Sequence, residues 1–121
     1  MKVRCIKIIS STTGEELDSN PWLTIGKEYT VLSLRAFPDG PVRFQLVGDS
    51  DDRPGLFDSV MFVTASKRIP PNWVAAVDDS GIVELAPSRW LSIGFWDGYF
   101  EDSPVEVEIF EEERRIIEES S

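Results

Sequence analysis

The sequence predicts a small α+β protein that is mostly β: an antiparallel barrel or bent sheet followed by a C-terminal α-helix. The first 64 residues contain about four short apolar segments with short connections, a spacing typical of small antiparallel folds. The adjacent Pro70 and Pro71 then exclude a helix interior or a central strand. A helical pattern begins only after Ser103. Because 121 residues fit one domain, we predict a single domain over 1–121.

Within this domain, residues 2–85 are predicted to form a barrel-like β core. The turn signal at Pro38–Pro41 joins the strands on either side of it as a hairpin. In the strand after this turn Phe44 alternates with Arg43 and Gln45, so Arg43 and Gln45 are predicted to face water. Hydrophobic patterning predicts strands at about 2–9, 29–34, 42–47, 56–63 and 82–85.

The segment 86–103 is the richest in aromatic residues. Five aromatic side chains lie between Trp90 and Phe100, interrupted by two glycines, which predicts an irregular segment. These rings have two interpretations. Most fit a small core between the sheet and the helix, whereas an exposed ring would fit a binding surface, and Trp96 is the ring that we expect to be exposed.

The last segment is predicted to be an acidic helix over 104–119. Ser103 fits the N-cap, Pro104 fits the first helical position, and Glu106 completes a capping box. Alternation over 105–109 also fits a strand. The helix is favoured because apolar residues recur at helical spacing further along the segment.

Catalysis has little support in the composition. The chain has no histidine and one cysteine, which excludes a Ser-His-Asp triad, an internal disulfide and a zinc site of cysteine and histidine. The carboxylates of Asp51 and Asp52 lie in a loop of turn-forming residues, where such side chains are solvated. Cys5 fits a small core residue, since no histidine can activate its thiol. We therefore expect a protein that is not an enzyme and that uses no cofactor and no metal.

The charge is large and uneven. The net charge is −10, with twelve acidic and ten basic residues in 1–96 but ten acidic and two basic residues in 97–121. Direct binding to nucleic acid or to an anionic membrane is disfavoured, because both need a basic face. A basic protein partner is favoured by charge complementarity.

The N-terminal sequence predicts a cytoplasmic protein. Lys2, Arg4 and Lys7 interrupt the apolar core that a secretion signal needs. No apolar run is long enough to span a membrane. A single thiol suits a reducing compartment.

Candidate partner-binding residues follow from the acidic segments and their aromatic neighbours. Carboxylates could pair with lysine and arginine of a basic partner, and an aromatic ring could anchor the contact. The predicted contact residues are Asp49, Asp51, Asp52, Trp96, Asp97, Tyr99, Glu101, Asp102 and Glu106.

Several short motifs resemble known proteins. The run Ile69–Val74 is similar to the turn that precedes the last strand of a Src-homology-3-like barrel. With the acidic aromatic segment 94–100, the whole chain resembles small bacterial immunity proteins encoded beside polymorphic or contact-dependent toxins. The remaining residues that carry the barrel resemblance are Leu23, Gly26, Tyr29, Val31, Phe44, Gly55, Leu56, Phe57 and Phe62.

The immunity resemblance implies a cytoplasmic inhibitor that binds one cognate toxin, and many such toxins are basic nucleases. We expect it to occlude the active site of the toxin, and binding at an exosite stays open. Peptide binding of the ordinary Src-homology-3 kind is disfavoured, because Tyr29 fits a core position. Two alternatives stay open: an acidic nucleic-acid mimic that inhibits DNA-binding proteins, and a non-catalytic protein-interaction barrel. The oligomeric state also stays open.

Overall fold

Ten short strands precede two helices in the chain. The structure is a computed structural model that describes residues 1–121. The helices are α1 (Phe95–Phe100) and α2 (Pro104–Ser120), and short 3-10 turns occupy Ser59–Met61 and Ser88–Leu91. The strands are β1 (Lys2–Cys5), β2 (Ile8–Ile9), β3 (Glu16–Leu17), β4 (Glu28–Thr30), β5 (Ser33–Ala36), β6 (Val42–Val47), β7 (Pro54–Asp58), β8 (Phe62–Ser66), β9 (Trp73–Val77) and β10 (Val83–Pro87).

All strand pairs are antiparallel, and they form two main sheets. The smaller sheet has the order β4-β1-β8, and the larger has the order β7-β6-β5-β10-β9. Strands β2 and β3 form a separate small hairpin. The predicted class, α+β and mostly β with a C-terminal helix, is confirmed.

The chain passes from one sheet to the other at Val31 and Leu32. The strand predicted over 29–34 is therefore two strands, β4 and β5, in different sheets. Val31 N donates to Met1 O at 3.0 Å, and Leu32 N donates to Gln45 O at 2.8 Å. Both side chains are buried, so this crossover ties the two sheets to one core.

The double-proline segment precedes β9, an edge strand of the larger sheet. The strand that pairs with β1 is β8, which follows the 3-10 turn at Ser59–Met61. A Src-homology-3-like barrel therefore stays a prediction.

Gln45 differs from its prediction, because its side chain is buried. Ser33 Oγ donates to Gln45 Oε1 at 2.7 Å across the β5–β6 pair, so the buried amide oxygen has a partner. Arg43 is exposed, as predicted. The alternation of apolar and polar residues predicted the wrong environment for Gln45, because both faces of β6 are covered at this point.

The core contains apolar residues from both sheets and both helices. Trp73 Nε1 donates to Leu32 O at 2.9 Å, which satisfies the polar atom of a buried ring. Cys5 is fully buried, and burial raises the pKa of its thiol, as expected for a structural cysteine.

The C-terminal helix is confirmed, and residues 105–109 are helical. Its start differs in detail from a capping box: Ser103 Oγ donates to the Glu106 carboxylate, and neither side chain caps a backbone N–H. The preceding segment is more regular than predicted, since it contains the 3-10 turn at Ser88–Leu91 and helix α1.

Phe110 fixes both helices to the sheet. Its ring stacks on Trp90 with centroids 5.0 Å apart and lies 4.5 Å from the centroid of Tyr99. Phe110 is fully buried, and Trp90 lies in the 3-10 turn Ser88–Leu91 that follows β10. One ring on α2 therefore contacts both α1 and the chain that leaves the larger sheet.

We expect Phe110→Ala to lower the free energy of unfolding by about 3–5 kcal/mol, because it removes buried surface and leaves a cavity. Urea unfolding followed by tryptophan fluorescence measures this. The matched control is Val105→Ala on the same helix, where the side chain is 63% exposed and the expected change is about 0.5 kcal/mol or less. Similar losses for the two variants would contradict this role for Phe110.

Candidate protein-binding surface

Asp49 lies at the end of β6 and is bound within the chain. Its carboxylate accepts from Thr24 Oγ1 at 2.6 Å and Lys27 Nζ at 2.6 Å, and from Tyr29 OH at 3.0 Å. Lys27 is the main cause that holds the pKa of Asp49 below its ordinary value, and Thr24 is the second. The side chain of Asp49 is 22% exposed. It therefore joins two loops within the chain, and its role as a contact residue stays a prediction.

The corner between α1 and α2 has a Schellman arrangement. Ser103 N donates to Gly98 O at 2.9 Å, and Asp102 N donates to Tyr99 O at 3.0 Å. Asp102 occupies the left-handed position with φ 61°, where glycine is usual and aspartate is tolerated. This geometry aims the Asp102 carboxylate back across the corner.

Arg53 connects this corner to the acidic loop before β7. Its guanidinium pairs with the Asp102 carboxylate and donates to Phe100 O at 3.4 Å. It also lies 5.8 Å from the ring centroids of both Tyr99 and Phe100, within the range of a cation–π contact. Two segments that are almost fifty residues apart in sequence thus meet at one surface.

A cleft opens beside this contact, and we call it the Arg53 cleft. Its volume is about 320 Å³. Trp22 and Phe100, which are 51% and 48% exposed, are its most exposed rings. It is lined by Trp22, Gly48, Ser50, Asp51, Arg53, Pro54, Gly55, Phe57 and Phe100.

The position of Trp22 is fixed by its backbone. Trp22 N donates to Asn20 Oδ1 at 3.0 Å, and Asp49 N donates to Trp22 O at 2.8 Å. A Cβ atom on Gly48 would lie 2.7 Å from Trp22 O, so only glycine permits this approach. The exposed ring of Trp22 therefore lies on a loop whose backbone is fixed by hydrogen bonds.

The predicted contact residues divide into free and bound groups. The exposed side chains of Asp51, Asp52, Asp97 and Glu101 form no ion pair. The structure brings the Asp51 loop and the corner after Glu101 to the same cleft. The carboxylates of Asp49, Asp102 and Glu106 are bound within the chain.

The aromatic predictions need correction. Trp96 is partly buried, because its ring packs among five others: those of Trp90, Phe95, Tyr99, Phe100 and Phe110. Tyr99 is buried, and burial raises the pKa of its hydroxyl. Most of the cluster is core, as one of the two interpretations held. The half-exposed ring is Phe100.

Sequence reasoning missed Trp22, Arg53, Phe57 and Phe100 as surface residues. Trp22 had a usable signal, since it is a lone aromatic residue in a polar loop. No local sequence signal identified Arg53, because its partners are distant in sequence.

No group of three or more histidine, cysteine, aspartate or glutamate side chains is placed to hold a metal ion. No helix is both long and apolar enough to cross a membrane. No protein-family model, curated protein or solved structure matches the chain.

Asp49→Asn is expected to lower the stability at neutral pH by about 1–2 kcal/mol, because the charged hydrogen bonds to Lys27, Thr24 and Tyr29 weaken. The pKa of Asp49 is lower in the folded state, so its contribution is complete above the ordinary carboxyl pKa of 3.8 and is lost as the pH falls through the folded value. Urea unfolding at a series of pH values should therefore show the difference shrinking in acid. The control is Asp52→Asn, whose carboxylate is exposed, and a difference that persists unchanged in acid would contradict the assignment.

Proposed function

We propose that the chain is a non-catalytic inhibitor of the immunity type, which binds a cognate bacterial toxin in the cytoplasm and occludes its active site. The toxin is of the basic nuclease type. The observation that carries the proposal is the Arg53 cleft, where the exposed carboxylate of Asp51 lies in the same lining as the exposed rings of Trp22 and Phe100.

The cleft suits a basic side chain. A lysine or arginine of the partner could lie against the rings of Trp22 and Phe100 and pair with Asp51 at the rim. Arg53 is already engaged with Asp102, so it does not neutralise Asp51 by an ion pair. Exposed rings held by ordered backbone lose little freedom on binding and are typical anchors of tight interfaces.

The charge distribution supports rapid association with a basic protein. Residues 97–121 carry a net charge of −8, and Phe100 of this segment lines the cleft. Local charge of one sign speeds encounter and orients the partner. The aromatic rings would then hold the complex after the salt-sensitive encounter.

One observation favours the alternative of a nucleic-acid mimic. The exposed side chains of Glu108, Glu111 and Glu119 lie on α2, where a row of carboxylates could resemble a phosphate backbone. A mimic would bind several basic proteins, and its affinity would collapse in high salt. An inhibitor with an aromatic anchor would keep one partner in high salt.

The test begins with the chain tagged in source cells, in the presence of the cognate toxin, followed by purification at low and high salt. We expect one stoichiometric basic partner that survives high salt. Several basic proteins that elute together would support the nucleic-acid mimic. The absence of any protein partner would contradict both the inhibitor and the mimic.

With the purified partner, we expect Phe100→Ala to raise Kd about 30-fold, mainly by faster dissociation, because an anchor ring is removed. The matched control is Val60→Ala, whose side chain is 49% exposed outside the cleft. The double change of Asp51 and Asp52 to asparagine should instead slow association at low salt. Surface plasmon resonance measures both rates. Unchanged rates in both cleft variants would refute the assignment of the partner site to this cleft.

A further inference from the structure

We propose that β9 is the interface of a homodimer, in which it pairs antiparallel with β9 of a second copy of this chain. Strand β9 forms one edge of the larger sheet and pairs only with β10. Asp78 N donates to Ile82 O, so these two residues form a hydrogen-bonded pair. Because such pairs alternate along an antiparallel ladder, Val74 and Ala76 direct their backbone groups toward β10.

The backbone groups of Ala75 and Val77 consequently point away from the sheet. Neither residue takes part in a backbone hydrogen bond outside the strand ladders. Both residues are exposed, and Val77 is 68% exposed. The edge is therefore open to another strand at Ala75 and Val77, whereas the N–H of Trp73 donates to Pro70 O at 3.2 Å.

The other edge strands carry features that hinder pairing with a further strand, whereas β9 does not. Strand β7 begins with Pro54, which has no N–H to offer. The ladder of β8 contains a register shift, and β4 has only three residues. The sequence of β9 is WVAAV, with no charge and no proline. Natural proteins rarely leave such an edge uncovered.

The two ends of β9 are complementary, which favours a second copy as the occupant. Lys67 and Arg68 precede the strand, and Asp78 and Asp79 follow it. None of these four side chains forms an ion pair within the chain, while Arg68 donates to Ser120 O at 3.4 Å and the Asp78 carboxylate accepts from Ser80 Oγ at 2.6 Å. Antiparallel pairing centred on Ala75 places Asp78 and Asp79 of one copy opposite Asn72 and Pro71 of the other, at the end of β9 that Lys67 and Arg68 precede.

Exposed apolar side chains also lie at both ends of β9. Ile69, before the strand, is 58% exposed, and Val77, at its far end, is also exposed. Centred on Ala75, the pairing places each Val77 beside Trp73 of the second copy. The excess negative charge does not oppose this contact, because most of it lies in residues 97–121.

The test is sedimentation velocity over a dilution series from the micromolar to the submillimolar range. We expect a monomer–dimer equilibrium for the wild type. Ala75→Pro removes an outward N–H without touching the β10 ladder, and the loss of two symmetry-related bonds should raise the dimer Kd about 30-fold or more. Circular dichroism confirms that the variant is folded.

The matched control is Leu56→Pro on the opposite edge. The Phe37–Pro41 hydrogen bond fixes the alternation across β5, β6 and β7, so Leu56 also points its N–H outward. It should leave the dimer Kd unchanged. A wild-type chain that stays monomeric throughout the series overturns the proposal, as does a folded Ala75→Pro variant that dimerises like the wild type.

A second variant tests the register independently of proline. In a hydrogen-bonded antiparallel pair the opposed Cα atoms lie about 5.5 Å apart, a separation that a disulfide spans. Ala75→Cys should therefore crosslink the two copies under mild oxidation, while Leu56→Cys should not. The native Cys5 is buried and does not compete. Equal crosslinking of both variants overturns the pairing.

Discussion

The packing of the Phe110 ring, which stacks on Trp90 and contacts the tilted ring of Tyr99, is the contact on which the rest of the molecule depends. It joins α2 to α1 and to the chain leaving the larger sheet. With both helices fixed, the corner after Phe100 is held in place, and Arg53 can reach Asp102 from the opposite side of the cleft. The surface that we assign to the partner therefore rests on a buried aromatic stack rather than on its own exposed contacts, which are individually weak.

The acidic residues of the candidate surface have two roles: some are bound within the chain, and others are exposed to a partner. Asp49, Asp102 and Glu106 are bound within the chain and shape the loops around the cleft. Asp51 and Glu101 form no ion pair and are exposed, and the Asp51 carboxylate accepts only from a backbone group, Arg53 N at 2.9 Å. Charge density alone does not distinguish these roles, because each carboxylate lies in an acidic segment. The side chains that bind each carboxylate distinguish them, since Asp49, Asp102 and Glu106 have such partners and Asp51 and Glu101 do not.

Much of the fold could be predicted from local signals. Ser103 and Pro104 marked the start of α2, and Pro38–Pro41 marked the β5–β6 turn. The crossover at Val31 could not be predicted, because a continuous apolar run does not show where a strand changes sheets. Gln45 was wrongly predicted to face water for a related reason, since the alternating pattern of a strand assumes that one face of the sheet is solvated.

The site was only partly predictable. Both acidic segments were identified, but their meeting depends on Arg53, whose contacts span almost fifty residues. The exposed ring was assigned to Trp96 instead of Phe100, because the orientation of α1 decides which ring faces the core. Side-chain direction along a short helix follows from its packing partners, and these are not visible in the local sequence.

The central claim is that a basic protein binds at the Arg53 cleft. Its most direct test is zero-length carbodiimide crosslinking in source cells, which joins carboxylates to lysines that are in contact, followed by mass spectrometry. Our account predicts crosslinks from Asp51, Asp52 and Glu101 to lysines of a single basic protein. Crosslinks confined to carboxylates far from the cleft, such as Glu15, Glu16 and Asp39, would contradict it.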